Sequence, residues 1–347
     1  MMEKEGDDTG FIGTIHSSLI YHANMGLFPD VHRWLVRIMD FLQIKNSGGF
    51  LEKLLVRKVT QHSNEGLKGK QNPRSEPFVA KVLQQEAAQK LTRTNVFDAC
   101  GANLAAGSDT TGISLGAALY YLYKNPDKLA KLRQEIDGGL AAGQVSDPVT
   151  FQESQRMPYL QAVIKEALRL HPAVGTILAR DVPEGGTHLA GQYFPGGVSA
   201  SSMRMNLFTL PVLTMALSKT QVGANAWVLH YDPQIYGPDS YSFRPERWLE
   251  DDGSKALKES MFFPVSVSLF PCSWEIQTNL LASQFGAGSR TCIGKNISLL
   301  EMSKVIPQIV REFDLEFEHP DQSWEVFCSW FVWPEYKCRV HHRPLAV

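Results

Sequence analysis

The stretch FGAGSRTCIG, Phe285 to Gly294, sets one cysteine, Cys292, in a glycine-rich loop that opens on an aromatic residue and leads into an apolar segment. Gly286, Gly288 and Gly294 permit close backbone approach, and Arg290 puts a positive charge two residues before the sulfur. The spacing that follows predicts a helix from about Lys295 to Phe313, whose N-terminal dipole would point at Cys292. Charge and dipole both stabilise an anionic sulfur. The plain alternative is that Cys292 is a small apolar residue of a core.

An anionic cysteine serves as a nucleophile, a redox sensor or a metal ligand. A nucleophile wants a histidine base, and the ten histidines carry no spacing that marks one out. As a ligand, a single thiolate has one well-known partner, haem iron, where it pushes electron density that favours cleavage of the O–O bond. Arg290 is then a candidate partner for a haem propionate.

The chain has 347 residues, enough for two domains or one large one. Apolar residues at 44%, charged ones at 20% and a net charge of -2 are those of an ordinary folded chain, and they point to no nucleic-acid or anionic-membrane partner. The five cysteines, Cys100, Cys272, Cys292, Cys328 and Cys338, form no C-x-x-C pair and suit neither a disulfide framework nor a zinc site, so a reducing compartment is expected. The N-terminal MMEKEGDDTGFIG holds no apolar run of the length a signal peptide or a spanning helix needs.

Helical spacing predicts two helices within residues 11 to 60, an exposed loop over 61 to 77 and a short helix from about Phe78 to Lys90. Leu91 to Lys124 reads as one long helix closed by Asn125-Pro126. Gly101, Gly107, Gly112 and Gly116 weaken it, and close approach of a flat ligand is one compensation. Amphipathic helices follow at Asp127 to Asp137 and Pro158 to Leu170, then short strands and turns from His171 to about His230, an irregular Pro-, Tyr- and Trp-rich stretch from Asp232 to Asp252, the helix after Cys292, and final short strands. This order, without a βαβ alternation, predicts a mainly α protein with small β regions.

At every fixed position FGAGSRTCIG fits the Phe-x-x-Gly-x-Arg-x-Cys-x-Gly haem loop of the cytochrome P-450 monooxygenases, and further segments resemble that family in its order. AGSDTT, Ala106 to Thr111, is similar to the oxygen-activating segment of the long central helix; Glu166 and Arg169 in KEALRLHP match its Glu-x-x-Arg pair; FRPERW, Phe243 to Trp248, matches its Pro-Glu-Arg-aromatic segment and supplies Arg247. The resemblance implies a single P-450 domain over residues 1 to 347 and haem b as cofactor. Cys292 is its axial iron ligand, Phe285, Gly286 and Gly294 shape the loop, and Arg290 and Arg180 contact propionates. It makes Asp109 and Thr110 the oxygen-activating pair, and Glu166, Arg169 and Arg247 a structural triad. On their own, Glu166 and Arg169 also read as an exposed pair one helical turn apart, and Asp109 and Thr110 as a solvated face or a back-bonded threonine.

GISL, YYLYKNP, MPYLQAVIKEALRLHPAVG and the GGxxxxGQYFPGG spacing resemble the fungal microsomal, pisatin-demethylase-like branch. That implies secondary metabolism, a small apolar organic substrate, dioxygen, electrons from an NADPH-dependent reductase, and, for an intact member, the endoplasmic reticulum membrane. The chain resembles the C-terminal two thirds of such a member. Residues 198–219 and 265–284 interrupt the resemblance: both begin Val-Ser and end in Lys or Gln, as translated, unspliced introns do, the alternative being genuine surface insertions. The rival readings are a non-catalytic, truncated remnant with poor haem binding and a cysteine hydrolase.

Overall fold

The computed structural model describes residues 11–26, 34–35, 37–38, 41–42, 53, 55–61, 77–177, 180–183, 185–189, 192–196, 221–223, 225–251, 253, 255, 258, 285–286 and 291–344. Both suspected insertions, 198–219 and 265–284, lie outside the described residues, as does most of the expected loop at 61 to 77. Two compact units divide the chain, one of Met1–Gly112 with Cys328–Phe331, the other of Ile113–Phe327 with Val332–Val347. The fold is mainly α with small β regions.

In the first unit, α1 spans Phe11–Gly26 and α2 spans Phe78–Ala87, three residues short of the expected end. Val59, Val82 and Val96 form its small core. The long helix α3, Arg93–Lys124, starts here and continues into the second unit. It begins two residues later than the sequence pattern predicts because Thr92 and Asn95 cap it reciprocally: the Thr92 N–H donates to Asn95 Oδ1 at 2.9 Å, and the Asn95 N–H to Thr92 Oγ1 at 3.2 Å.

The second unit is built around α6, Pro158–Leu170, which packs against α4, Pro126–Ala141, and α9, Lys295–Glu312. Helix α4 runs four residues past its expected end because Gly138-Gly139 continues it. The turn then folds back so closely that a Cβ on Gly139 would lie 2.7 Å from Val145 Cγ2, so any larger residue would have to displace Val145. The four-residue α5, Phe151–Ser154, has no apolar periodicity and is set by a capping box of Thr150 and Glu153. Leu122, Leu132, Ile136, Leu160, Met302 and Ile306 are fully buried in the main core.

The strands are short. β1, Arg180–Asp181, pairs antiparallel with β4, Gln221–Val222; β2, Thr187–Leu189, pairs with β3, Gln192–Phe194. Then come α7, Ala226–Leu229, α8, Pro233–Tyr236, and a 3-10 turn, Pro245–Trp248. After α9, β5, Phe313–Phe317, pairs antiparallel with the C-terminal β8, Cys338–His342, while β6, Glu325–Cys328, and β7, Val332–Glu335, form a hairpin. Arg133 of α4 fastens the α9–β5 junction, donating to Val310 O at 3.1 Å, Phe313 O at 3.0 Å and Asp314 Oδ1 at 2.6 Å.

His171 closes α6 onto the C-terminal strands: its Nε2 meets Val332 O at 2.8 Å, and its ring lies 5.2 Å from that of Trp227 and 4.7 Å from that of Trp324. Burial holds its pKa down, to about 4 against an ordinary 6.5, the hydrogen bond to Val332 opposing the shift. The unfolded chain therefore binds a proton at His171 before the folded one does. The stability contributed by the neutral ring is complete above about 6.5 and lost as pH falls toward 4. Urea unfolding of His171→Phe across that window is expected to show a flatter pH dependence than the parent; parallel profiles would contradict this.

Candidate functional site

Glu166, Arg169 and Arg247 are brought together in the interior, all three at 0% exposure. Glu166 and Arg169 share a face of α6 one turn apart, and Arg247 arrives from the 3-10 turn. Arg169 grips the carboxylate at both ends, Nε to Oε2 and Nη2 to Oε1, each at 2.9 Å. Arg247 Nε adds a bond to Oε1 at 2.8 Å, the Arg244 backbone N–H one at 3.0 Å, and Trp248 Nε1 one to Oε2 at 2.9 Å. For Arg247, burial lowers the pKa, and Glu166 and Asp239 more than offset it, so the guanidinium is held more firmly charged than usual.

The outer faces of both guanidiniums hold the irregular stretch between α7 and the 3-10 turn. Arg169 donates to the carbonyls of His230 at 2.5 Å and Ser240 at 2.7 Å; Arg247 donates to those of Tyr236 at 2.6 Å, Asp239 at 3.0 Å and Ser242 at 3.3 Å. Reading the residue spacing missed Trp248 and the Arg244 N–H as partners of Glu166. The indole in FRPERW was a visible signal; a backbone donor leaves none.

The cysteine loop is the second group. The Cys292 N–H donates to Phe285 O at 2.7 Å, closing the loop, and Gly286 turns it at φ 72°, where glycine is favoured. Phe285 packs against the main core and anchors the loop's start. At its end Gly294 is the N-cap of α9 and offers no side-chain oxygen to the helix. A Cβ on Gly294 would meet Cys292 Sγ at 3.7 Å, so the sulfur lies against the positive end of α9. Cys292 itself is exposed. Arg290 lies outside the described residues.

Asp109 and Thr110 belong to the first unit, on α3. Thr110 Oγ1 donates to Ala106 O at 2.8 Å, one turn back. Asp109 is half-buried, and its buried Oδ2 accepts no hydrogen bond; His16 Nε2 lies 3.9 Å away. Burial raises the Asp109 pKa, against the lowering pull of His16, so this carboxyl takes a proton more readily than an exposed one. Among the α3 glycines, a Cβ on Gly107 or Gly112 would meet nothing within 4 Å, whereas Gly101 faces Leu55 Cδ1 at 3.2 Å. Helix packing therefore accounts for Gly101, and open space borders the other two. Arg180 stands half-buried in β1, opposite Val222.

The Cys292 loop by itself fits a haem. The loop presents one exposed sulfur at a helix N-terminus, and a single sulfur donor suits an iron whose macrocycle supplies its other ligands. Among the described residues no cluster of three or more His, Cys, Asp or Glu is placed to hold a bare metal ion.

The cytochrome P-450 family model matches residues 4–203 and 218–342, and the chain belongs to that family. Among particular proteins it is 40% identical over 351 residues to a pisatin demethylase of Fusarium vanettenii, an alignment covering 99% of this chain and 59% of the relative. A second pisatin demethylase of the same organism is 40% identical over 99% of this chain and 58% of its own length. Cytochrome P-450 monooxygenase ACRTS1 of Alternaria alternata is 29% identical over 97% of this chain and 80% of its own. The chain thus spans less than two thirds of the pisatin demethylases it matches.

Glu166→Gln removes the charge that two buried guanidiniums share, and breaking a buried pair in this way costs about 3–5 kcal/mol. A matching fall in the urea unfolding free energy is expected. A loss no larger than that of an exposed ion pair would show that Glu166 does not hold the network.

Proposed function

We propose that the protein is a haem-thiolate monooxygenase acting on a small apolar organic substrate, with electrons from an NADPH-dependent reductase. The observation that carries this reading is the Cys292 loop, closed by the Cys292 N–H on Phe285 O and set at the positive end of α9. When bound, haem b supplies reductive activation of dioxygen, one oxygen atom entering the substrate and the other leaving as water. Cys292 Sγ holds the iron as thiolate, steadied by the α9 N-terminus. Arg290 and Arg180 neutralise propionates.

Asp109 holds and passes protons, a role its raised pKa suits, and the Thr110 hydroxyl, one residue along the same helix and donating to Ala106 O, is the second member of the relay. The named relatives include pisatin demethylases, which supports a small organic substrate. No helix among the described residues is long and apolar enough to cross a membrane. The endoplasmic reticulum remains the proposed location of an intact member on the strength of the fungal microsomal resemblance.

Residues 198–219 and 265–284 are proposed to be translated introns. The break in the family match, between residues 203 and 218, falls inside the first and supports that assignment. Transcript reads are expected to skip both segments; reads that include them consistently would make them genuine insertions.

The reduced, carbon monoxide-bound spectrum, recorded with haem supplied to the chain before and after removal of both segments, tests the function. A strongly red-shifted Soret band is expected once the segments are gone, and its loss in Cys292→Ser, whose neutral hydroxyl cannot replace a charged sulfur. A red-shifted band that survives Cys292→Ser would overturn the assignment. Thr110→Ala is expected to keep that spectrum while product falls and peroxide release rises; unchanged coupling would remove Thr110 from proton delivery.

A further inference from the structure

We propose that a row of rings in the second unit, Trp324, His171, Trp227, Tyr231 and Tyr241, conducts oxidising equivalents from Trp324 to the protein surface. Consecutive ring centroids lie 4.7, 5.2, 6.0 and 5.1 Å apart. Contacts this close couple neighbouring π systems. The row leads to Tyr241, which is 72% exposed.

Its members divide by what each ring does on losing an electron. An oxidised indole is a far weaker acid than an oxidised phenol, so it can carry the charge before its N–H proton leaves, and Trp227 Nε1 is bonded to Pro172 O at 3.2 Å. The two indoles are therefore resting points for the missing electron. An oxidised phenol must shed its proton. The Tyr231 hydroxyl is tied to Leu170 O at 2.5 Å, and an amide oxygen is too weak a base to receive it, so Tyr231 bridges without holding the radical. Tyr241, an exposed residue, becomes the terminus.

Charge weights the path. Burial keeps His171 neutral above a pH of about 4, so no imidazolium opposes a positive hole passing between the indoles. On the other side of Trp324, Tyr120 stacks on it at 4.1 Å, and the Lys124 ammonium lies 5.6 Å over the Tyr120 ring. That cation disfavours a positive charge on Tyr120, one of the rings beside Trp324.

The electron count closes. Tyr241 gives one electron to the row and one proton to water, becoming a neutral phenoxyl radical. The electron reduces by one equivalent an oxidant of the class that iron generates with dioxygen or peroxide. A protective use against such oxidants rests on the monooxygenase reading above; conduction along the rings does not.

Pulse radiolysis of the full chain with azide radical, a one-electron oxidant that prefers indole, tests conduction without haem. Indolyl absorbance is expected to decay into phenoxyl absorbance at a rate independent of protein concentration, and a nitroso spin trap to mark Tyr241 in peptide mass spectra. Tyr241→Phe, at an exposed position, should lose that phenoxyl phase. Trp227→Phe, which keeps an aromatic ring but removes an oxidisable one, should lose the Tyr241 adduct. A phenoxyl phase that persists in Tyr241→Phe, or an equal adduct in a folded Trp227→Phe, would overturn the proposal. Should Trp227→Phe fail to fold, Tyr241→Phe decides alone. Failure here leaves the haem-thiolate reading standing, and loss of the thiolate spectrum leaves conduction standing.

Discussion

Glu166 is fully buried, so its two oxygens depend on five donors: two from Arg169, and one each from Arg247, Trp248 and the Arg244 backbone. A buried carboxylate is tolerable only when paired and fully hydrogen-bonded. The arrangement also solves a problem for the chain around it. Between His230 and Trp248 there are only two short turns of regular structure, so several backbone carbonyls have no ladder to join. The guanidiniums of Arg169 and Arg247 accept that duty, donating to carbonyls of His230, Tyr236, Asp239, Ser240 and Ser242. Irregular backbone is held in one shape by charge, where a helix or sheet would hold it by repetition.

The other end of α6 is fixed by a second carboxylate. Met157 stands at its N-cap with nothing to offer, and Glu135 reaches over from α4, accepting the N–H of Tyr159 at 2.8 Å and of Leu160 at 2.9 Å. Tyr159 in turn donates to Glu246 at 3.1 Å, and Lys131 to the same oxygen at 2.5 Å. Burial would raise the Glu246 pKa, but Lys131, its own backbone N–H and Lys128 outweigh it and bring it to about 2. Glu246 adjoins Arg247, so the short turn that feeds the Glu166 network is tied to both ends of α6. Losing either tie would loosen the placement of the other.

How much of this was legible follows the range of each interaction. Glu166 and Arg169 are three residues apart, so helical geometry alone put them on one face. Arg247, 81 residues from Glu166, came only through resemblance to a family. Glu135 as a cap for α6 left no trace, because a sequence separation of 24 residues links a glutamate on one helix to an N–H on another by no fixed rule. The limits of α3 and α4 were misjudged for a related reason: Thr92–Asn95 capping and the Gly139–Val145 contact depend on backbone paths that periodicity does not report. The start of α9 after Cys292 was legible because its signals are local.

Helix α9 then distributes rigidity along its length. Met302, Ile306 and Val310 are fully buried, and its interior half packs against α4, α5 and α6. Ile293 and Ile297, beside Cys292 and in the first turn, are 94% and 61% exposed. The same helix is therefore core at one end and open face at the other. A sulfur placed just before its first turn inherits the positional precision of the core through the helix backbone, while its own side stays accessible. The loop before it adds the remaining constraint, since the Cys292 N–H is committed to Phe285 O and Phe285 is packed against that same core. Both ends of the loop are thus referred to one body, and the exposed thiol between them needs no support of its own.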